Sequence, residues 1–431
     1  MENSLPKSWV NIKISDFAST SSGGTPKTNV KEYWDGNIPW INSGMLKDNV
    51  IKDYSKLITE RGLKESSAKL FPNKTVVIAL TGATTGKVGI LDIETSTNQS
   101  VTGIFPNVLY ESKYLFYYLI SIRNKILENA LGTAQPHINK AIVDNTIIPF
   151  PPLSEQKRIV AKLDVLFAQH EAMKKALERI PKLLEDFRQQ VLTHAVTGNL
   201  IPFRGGSQNM KLKDLGIWKG GGTPSKANSS FWNNGTILWI TPKDMKDLFL
   251  SNSIDKITKS AVQNSSAILI PKNSILIVTR SGILRRLLPI SSNSVETTVN
   301  QDLKVLIPND KVNFKFLLYA LRGLEENIRM TCMKSGTTVE SIEFSLLKDY
   351  NINIPILSIQ QAIVEKIESL LTKADIIEKR YKTLKEKIDR LPQAILHKAF
   401  KGELVPQLPT DGDAKDLLEE ILKLKKEVKK K

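Results

Sequence analysis

The chain repeats itself across almost its whole length. GGTPKTNVKEYWDGNIPWI (23–41) matches GGTPSKANSSFWNNGTILWI (221–240), and FPNKTVVIALTG (71–82) matches IPKNSILIVTRSG (270–282). Asn98-Gln99 recurs as Asn300-Gln301, YLFYYL (114–119) as FLLYAL (316–321), and Gly132-Thr133 as Gly336-Thr337. PFPPLSEQKRIV (149–160) recurs as NIPILSIQQAIV (353–364), and VLTHAVTGNLIP (191–202) as ILHKAFKGELVP (395–406). The order never changes and the offset drifts only from 198 to 204. A period that long is not a solenoid unit, so the chain is two copies of one domain.

Each copy has two parts. The first reads as mixed α/β: short apolar runs such as TVVIAL (75–80) and SILIV (274–278) are strands bounded by Pro, Asn and Gly. Apolar helical patterns lie near 114–127 and 316–330. The second part is a long helix. Pro151-Pro152 and Pro355 stop the preceding strand, and Ser154 and Ser358 stand where N-caps belong. Gln361 completes a capping box with Ser358; Lys157 leaves the first box partial.

Within these helices Leu163, Leu166, His170, Met173, Leu177, Ile180, Leu184, Phe187 and Val191 advance by alternating steps of 3 and 4. Ile367, Leu370, Ala374, Ile377, Tyr381, Leu384, Ile388, Leu391 and Ile395 do the same. That period makes a coiled-coil seam. Two seams in one chain pair most simply with each other. Pro181 and Pro392 interrupt the heptads at non-equivalent places, and a kink or short break is expected at each. The fold class expected is α+β: two repeated mixed α/β domains separated by a pair of long antiparallel coiled-coil helices, with an internal pseudo-twofold. The expected boundaries are 1–153 for the first domain, 154–205 for the central helix, 206–357 for the second domain, and 358–431 for the C-terminal helix and basic tail.

The formal net charge is +17, and residues 201–357 carry 20 basic against 12 acidic side chains. The excess therefore sits in the second domain more than in the tail, which favours a polyanionic partner such as nucleic acid. There is no apolar run of about 18 residues, so no membrane span is expected, and the N-terminus does not read as a signal peptide. The lone Cys332 fits a reducing cytoplasm and a packed core position.

Catalytic motifs are missing where an enzyme would need them. TGATTGKVGI (81–90) has three residues between its glycines and Val88 after the lysine, so it is not a phosphate-binding P-loop. The histidines, His170 in the seam among them, have no metal-ligand spacing. No Asn-Pro-Pro-aromatic motif of an adenine-flipping methyltransferase is present. Two basic domains on a helical rod of roughly 60 Å read as a ruler. At about 3.4 Å per base pair it spans at most about 17 base pairs, giving a split DNA target with an unread centre.

PPLSEQKRIV (151–160), LERIPKLLEDFRQQVLTHAVTGNL (177–200) and LPQAILHKAFKGELVPQLP (391–409) with the trailing DAKDLLEEILKL (413–424) carry a resemblance. The chain resembles the specificity subunit of Type I restriction-modification systems, over essentially its full length. The resemblance implies two target recognition domains, each reading half of a bipartite double-stranded DNA site. The long helices set the spacer and dock two methyltransferase subunits, and motor-nuclease restriction subunits complete the assembly in a bacterial or archaeal cytoplasm. The chain itself would be non-catalytic and hold no cofactor or metal; S-adenosylmethionine, ATP and Mg would belong to partner subunits. The rivals are a self-sufficient DNA methyltransferase and a coiled-coil scaffold that never touches nucleic acid.

For DNA contact, polar side chains on loops near the repeated turns are the candidates. In the first domain these are Thr25, Lys27, Thr84, Thr85, Lys87, Gln135 and His137; in the second, Thr223, Ser225, Lys226, Arg280, Arg285, Arg286 and Thr337. Arginine takes guanine bidentately and glutamine takes adenine; lysine grips phosphate. Trp40 and Trp239 are expected in the cores.

Overall fold

The computed structural model describes residues 5–128, 137–203, 206–334 and 339–428. The chain divides into two compact units, Met1–Leu177 with Leu384–Lys431, and Glu178–Thr383. The fold is α+β, with two repeated mixed domains and long helices. In the first copy the strands are β1 (Val10–Lys13), β2 (Thr20–Ser22), β3 (Trp34–Ile41), β4 (Asn49–Ile51), β5 (Lys56–Ile58), β6 (Leu70–Phe71), β7 (Val76–Ala79), β8 (Val88–Leu91), β9 (Thr95–Thr97), β10 (Val101–Ile104) and β11 (Ile147–Phe150). The second copy supplies β12 (Ser207–Lys211), β13 (Gly216–Gly220), β14 (Ile237–Ile240), β15 (Phe249–Leu250), β16 (Asp255–Ile257), β17 (Ile275–Val278), β18 (Ile290–Asn293), β19 (Thr297–Val299), β20 (Leu303–Pro308) and β21 (Asn351–Pro355).

The two copies share one topology. A five-stranded sheet runs β2-β10-β7-β8-β4 in the first and β13-β20-β17-β18-β15 in the second. In each, only the last pair is parallel. A smaller sheet runs β5-β3-β9-β6, answered by β16-β14-β19, where a single bridge from Ile270 to Thr297 stands in for β6. The central strands β7 and β17 are buried at all four positions, as unbroken apolar runs require when both faces are covered. The first and last strands of each domain pair with each other, β1 with β11 and β12 with β21.

Each domain is joined to its long helix by a buried glutamine. The helices begin at Leu153 and Leu357, one residue before the serines expected as caps. Ser154 instead donates to Asp411 Oδ1 at 3.0 Å, and Gln361 donates to Glu365 rather than closing a box. Gln156 and Gln360, both fully buried, tie the helix starts to the domains. Gln156 Nε2 donates to Pro151 O at 2.9 Å while its Oε1 accepts from Glu111 N at 2.9 Å. Gln360 Nε2 donates to Pro355 O at 2.7 Å while its Oε1 accepts from Asn313 N at 2.7 Å. Glu111 and Asn313 are the N-caps of the domain helices Ser112–Ser121 and Phe314–Gly323. A second tie repeats as well. Lys113 Nζ and Tyr117 Oη donate to Asp164 at 2.7 and 2.6 Å, and Lys315 Nζ donates to Glu368 at 2.7 Å beside Tyr319. Burial pushes both tyrosine hydroxyls well above their ordinary value.

The helices pair antiparallel within each unit. Ile159, Val160 and Leu163 share a core with Ile395, Leu396 and Ala399. Val191 and Leu192 share another with Ile363 and Ile367, and Arg188 reaches Asp375 and Glu378 at 2.7 Å each. The seam is only half closed. Leu163, His170, Leu177, Leu184 and Val191, one position per heptad, are buried, whereas Met173 and Phe187 between them are exposed, as are Ile377 and Leu384 on the other strand of the seam.

The two prolines behave differently. The first helix ends at Glu178 and a new one starts at Ile180, with Pro181 in its first turn, where the missing N–H costs nothing. Pro392 sits inside an unbroken 44-residue helix, Leu357–Phe400, against the expected break. It cannot donate to Ile388 O four residues back. His170 does so in its place: its Nε2 lies 3.0 Å from that carbonyl. A carbonyl only accepts, so Nε2 carries the proton.

The first unit is closed by the C-terminal segment. Buried Glu155 accepts from Trp9 Nε1 and Gln407 Nε2, each at 2.9 Å. The Arg158 guanidinium grips both carboxylate oxygens of Asp411 and donates to Pro406 O. That guanidinium lowers the Asp411 pKa to about 2. Cys332 is buried in the core of the second domain, and burial raises its thiol pKa.

His170→Ala is expected to cost about 1–3 kcal/mol, the penalty of an unmet buried carbonyl. The cost is expected to be markedly less in a Pro392→Ala background, where the substituted residue supplies the N–H; a double-mutant unfolding cycle measures the coupling. Because the folded Asp411 pKa lies below its unfolded value of roughly 3.9, its contribution is full above that value and is lost as pH falls through about 2. The stability gap between the native chain and Arg158→Ala, followed by urea unfolding, is therefore expected to narrow from about pH 5 to about pH 3.

Candidate nucleic-acid interface

Two indoles hold each of the repeated Gly-Gly-Thr-Pro loops. Trp40 Nε1 donates to Gly24 O at 3.2 Å and Trp34 Nε1 to Lys27 O at 3.2 Å. Trp239 donates to Gly222 O at 3.0 Å and Trp232 to Ser225 O at 3.1 Å. Each tryptophan pair is edge-to-face, with centroids 5.5 and 5.0 Å apart. Trp40 and Trp239 are buried. The glycines are required by space: a Cβ on Gly24 would stand 2.2 Å from Ser67 O, and one on Gly222 2.4 Å from Ser266 O. Thr25 and Thr223 spend their hydroxyl protons on Gln99 and Gln301, while the side chains of Lys27, Ser225 and Lys226 are exposed.

In the second domain a cleft of about 560 Å³ gathers Lys226, Lys243, Arg280 and Gln301, with Asp255 and Asp302 on its wall. Arg280 is placed by its backbone, whose N–H donates to Asp302 O at 3.2 Å and which bridges to Ser341. Its side chain is exposed, and among the described residues no acid pairs with it. The other two arginines lie differently. Arg285 Nε is held by Glu340 Oε1 at 2.5 Å. Arg286 lines a separate cavity of about 1040 Å³ beside Arg188, Arg322 and Glu378 on the helical side.

The first domain answers Arg280 with a self-contained loop. Gly82 and Gly86 take φ of +84° and +75°. Thr84 Oγ1 donates to Ser43 O at 2.9 Å and Thr85 Oγ1 to Gly82 O at 2.7 Å. Lys87 Nζ pairs with Asp48 at 2.9 Å, and the Arg123 guanidinium takes the same carboxylate. Thr84, Thr85 and Lys87 thus hold the loop's own shape. His137 is exposed, and its neighbour Ile138 is tied to Leu80 O beside this loop. Gln135 and Thr337 lie outside the described residues.

Gln99, Gln301 and Lys243 were not among the sequence candidates. The recurrence of Asn98-Gln99 and Asn300-Gln301 marked the glutamines as repeat positions, and Lys243 stands three residues after Ile240 of the matched Trp-Ile pair, as WITPKD (239–244) against WINSGM (40–45). Among the described residues no group of three His, Cys, Asp or Glu is arranged to hold a metal, and no helix is long and apolar enough to cross a membrane.

Comparison with known proteins gives one answer. The chain is 34% identical over 267 residues to the EcoR124I/EcoR124II Type I restriction enzyme specificity subunit of Escherichia coli, a match covering 60% of the chain and 63% of that subunit. It is 27% identical over 434 residues to the EcoKI specificity subunit of Escherichia coli K12, covering 94% and 90%. Its fold matches the crystal structure of the HsdS subunit from Thermoanaerobacter tengcongensis with a TM-score of 0.67 at 20% identity, over 93% of this chain and 99% of that one. The family model for the Type I restriction modification DNA specificity domain matches twice, over residues 6–182 and 205–386. With both of its repeats so matched, the chain belongs to the Type I restriction modification DNA specificity domain family.

Proposed function

We propose that this specificity subunit reads a bipartite double-stranded DNA target, one half with each domain, and performs no chemistry itself. The observation that carries the reading is the cleft in which Lys226, Lys243, Arg280 and Gln301 converge. A guanidinium on an anchored backbone, with no acid paired to it among the described residues, is suited to take guanine O6 and N7 together, while the lysines beside it grip phosphate. The first domain offers a pinned Thr-Thr-Gly-Lys turn at the corresponding place instead. Different loops on one scaffold give two different half-sites.

The helices supply docking surface. Met173 and Leu384 in the first unit, and Phe187 and Ile377 in the second, leave apolar side chains exposed on the long helices, as a surface for a protein partner would. Two methyltransferase subunits are the partners of this surface, with motor-nuclease subunits completing the assembly. S-adenosylmethionine, ATP and Mg are held by those subunits; this chain positions them on DNA.

In the complex assembled with methyltransferase subunits, Arg280→Ala is expected to lose about 1–3 kcal/mol of target affinity and to relax preference at one base pair. Lys243→Ala is expected to weaken all duplexes alike and to flatten the salt dependence by about one counterion. Binding titrations over a panel of singly substituted duplexes at several salt concentrations measure both. Salt-independent binding, or the same sequence ranking with Arg280→Ala, contradicts the reading.

A further inference from the structure

Each domain carries the same small lock beside its Gly-Gly-Thr-Pro loop. Thr25 Oγ1 donates to Gln99 Oε1 at 2.5 Å, and Thr223 Oγ1 donates to Gln301 Oε1 at 2.5 Å. Both halves of the lock stand on the sheet. Gly24 N donates to Thr97 O and Gly222 N to Val299 O, next to the threonines. Asn98 N donates to Ile41 O and Asn300 N to Ile240 O, next to the glutamines. With each amide oxygen turned to the threonine hydroxyl, the two donors of Nε2 are left for a partner outside the lock. Both glutamines are exposed, and among the described residues nothing accepts from either Nε2.

A donor-only group meets phosphate oxygens on the DNA backbone, or guanine and adenine acceptors in the major groove. The repeat decides between them. What differs between the copies in the readout loop, Arg280 against the Thr-Thr-Gly-Lys turn, belongs with what differs between two half-sites. What is the same in both copies belongs with what every half-site has, the phosphodiester chain. We infer that Gln99 and Gln301 donate to backbone phosphate oxygens at matching places in the two half-sites, and that Thr25 and Thr223 hold those amides in register rather than reading bases. The inference rests on the DNA-reading function proposed above and assigns the sequence-independent part of it.

The test uses the full chain in complex with its methyltransferase subunits, titrated against the target and singly substituted duplexes. Gln301→Ala is expected to weaken every duplex by the same factor, about tenfold, the weight of one hydrogen bond to a charged group. Gln301→Lys restores affinity and steepens the salt dependence, whereas Gln301→Glu weakens it further. Thr223→Val reproduces part of the uniform loss and Thr223→Ser restores it. A changed ranking of duplexes with Gln301→Ala makes the residue a base reader and overturns the inference, as does an unchanged affinity. If the native complex itself shows no salt-dependent target binding, the DNA-reading function fails first, and the variants separate the two failures.

Discussion

Everything in this molecule depends on how a β-rich domain is welded to a long helix without leaving polar groups stranded. Gln156 and Gln360 solve that problem identically. Each is fully buried, each donates to the carbonyl of the proline that ends the preceding strand, and each accepts from the N-cap amide of the domain helix. One side chain thereby satisfies both a strand end and a helix start. A buried amide with neither partner would be costly, so the geometry of domain against helix is fixed by these bonds. The charged pairs Lys113–Asp164 and Lys315–Glu368 repeat the tie half-buried, where they orient more than they stabilise.

The duplication made most of the architecture legible. Short apolar runs bounded by Pro, Asn and Gly gave strands, and steps of 3 and 4 gave the paired helices. What escaped was local chemistry that depends on a distant partner. Ser154 looks like a cap because serine is a good one, but the helix starts one residue earlier, and the serine's hydroxyl proton goes to Asp411, far along the chain. Pro392 looks like a breaker because nothing nearby in sequence replaces its N–H; His170 does so across the helix pair. A heptad pattern promises two buried positions per repeat, yet only one is covered, since a two-helix seam closes fully only when both positions face a partner.

The candidate interface was legible by region more than by residue. Lys226 and Arg280, both drawn from loops beside repeat landmarks, line one cleft. Sequence could not show that Lys87 and Arg285 each face a carboxylate, or that Arg286 lies with the helices. A polar side chain on a loop is a candidate reader until its own fold claims it. The glutamines of the Asn-Gln pairs were visible as landmarks, but their meaning lay in a threonine 74 or 78 positions away.

The pairing of β1 with β11 and of β12 with β21 brings the entry and exit of each domain side by side. A module whose two ends share one doorway can be cut out and replaced by another of different length without moving the frame that receives it. Recombination at those doorways would hand the same helices a new vocabulary, so evolution of this chain can proceed by exchange of whole cassettes as well as by drift of single letters.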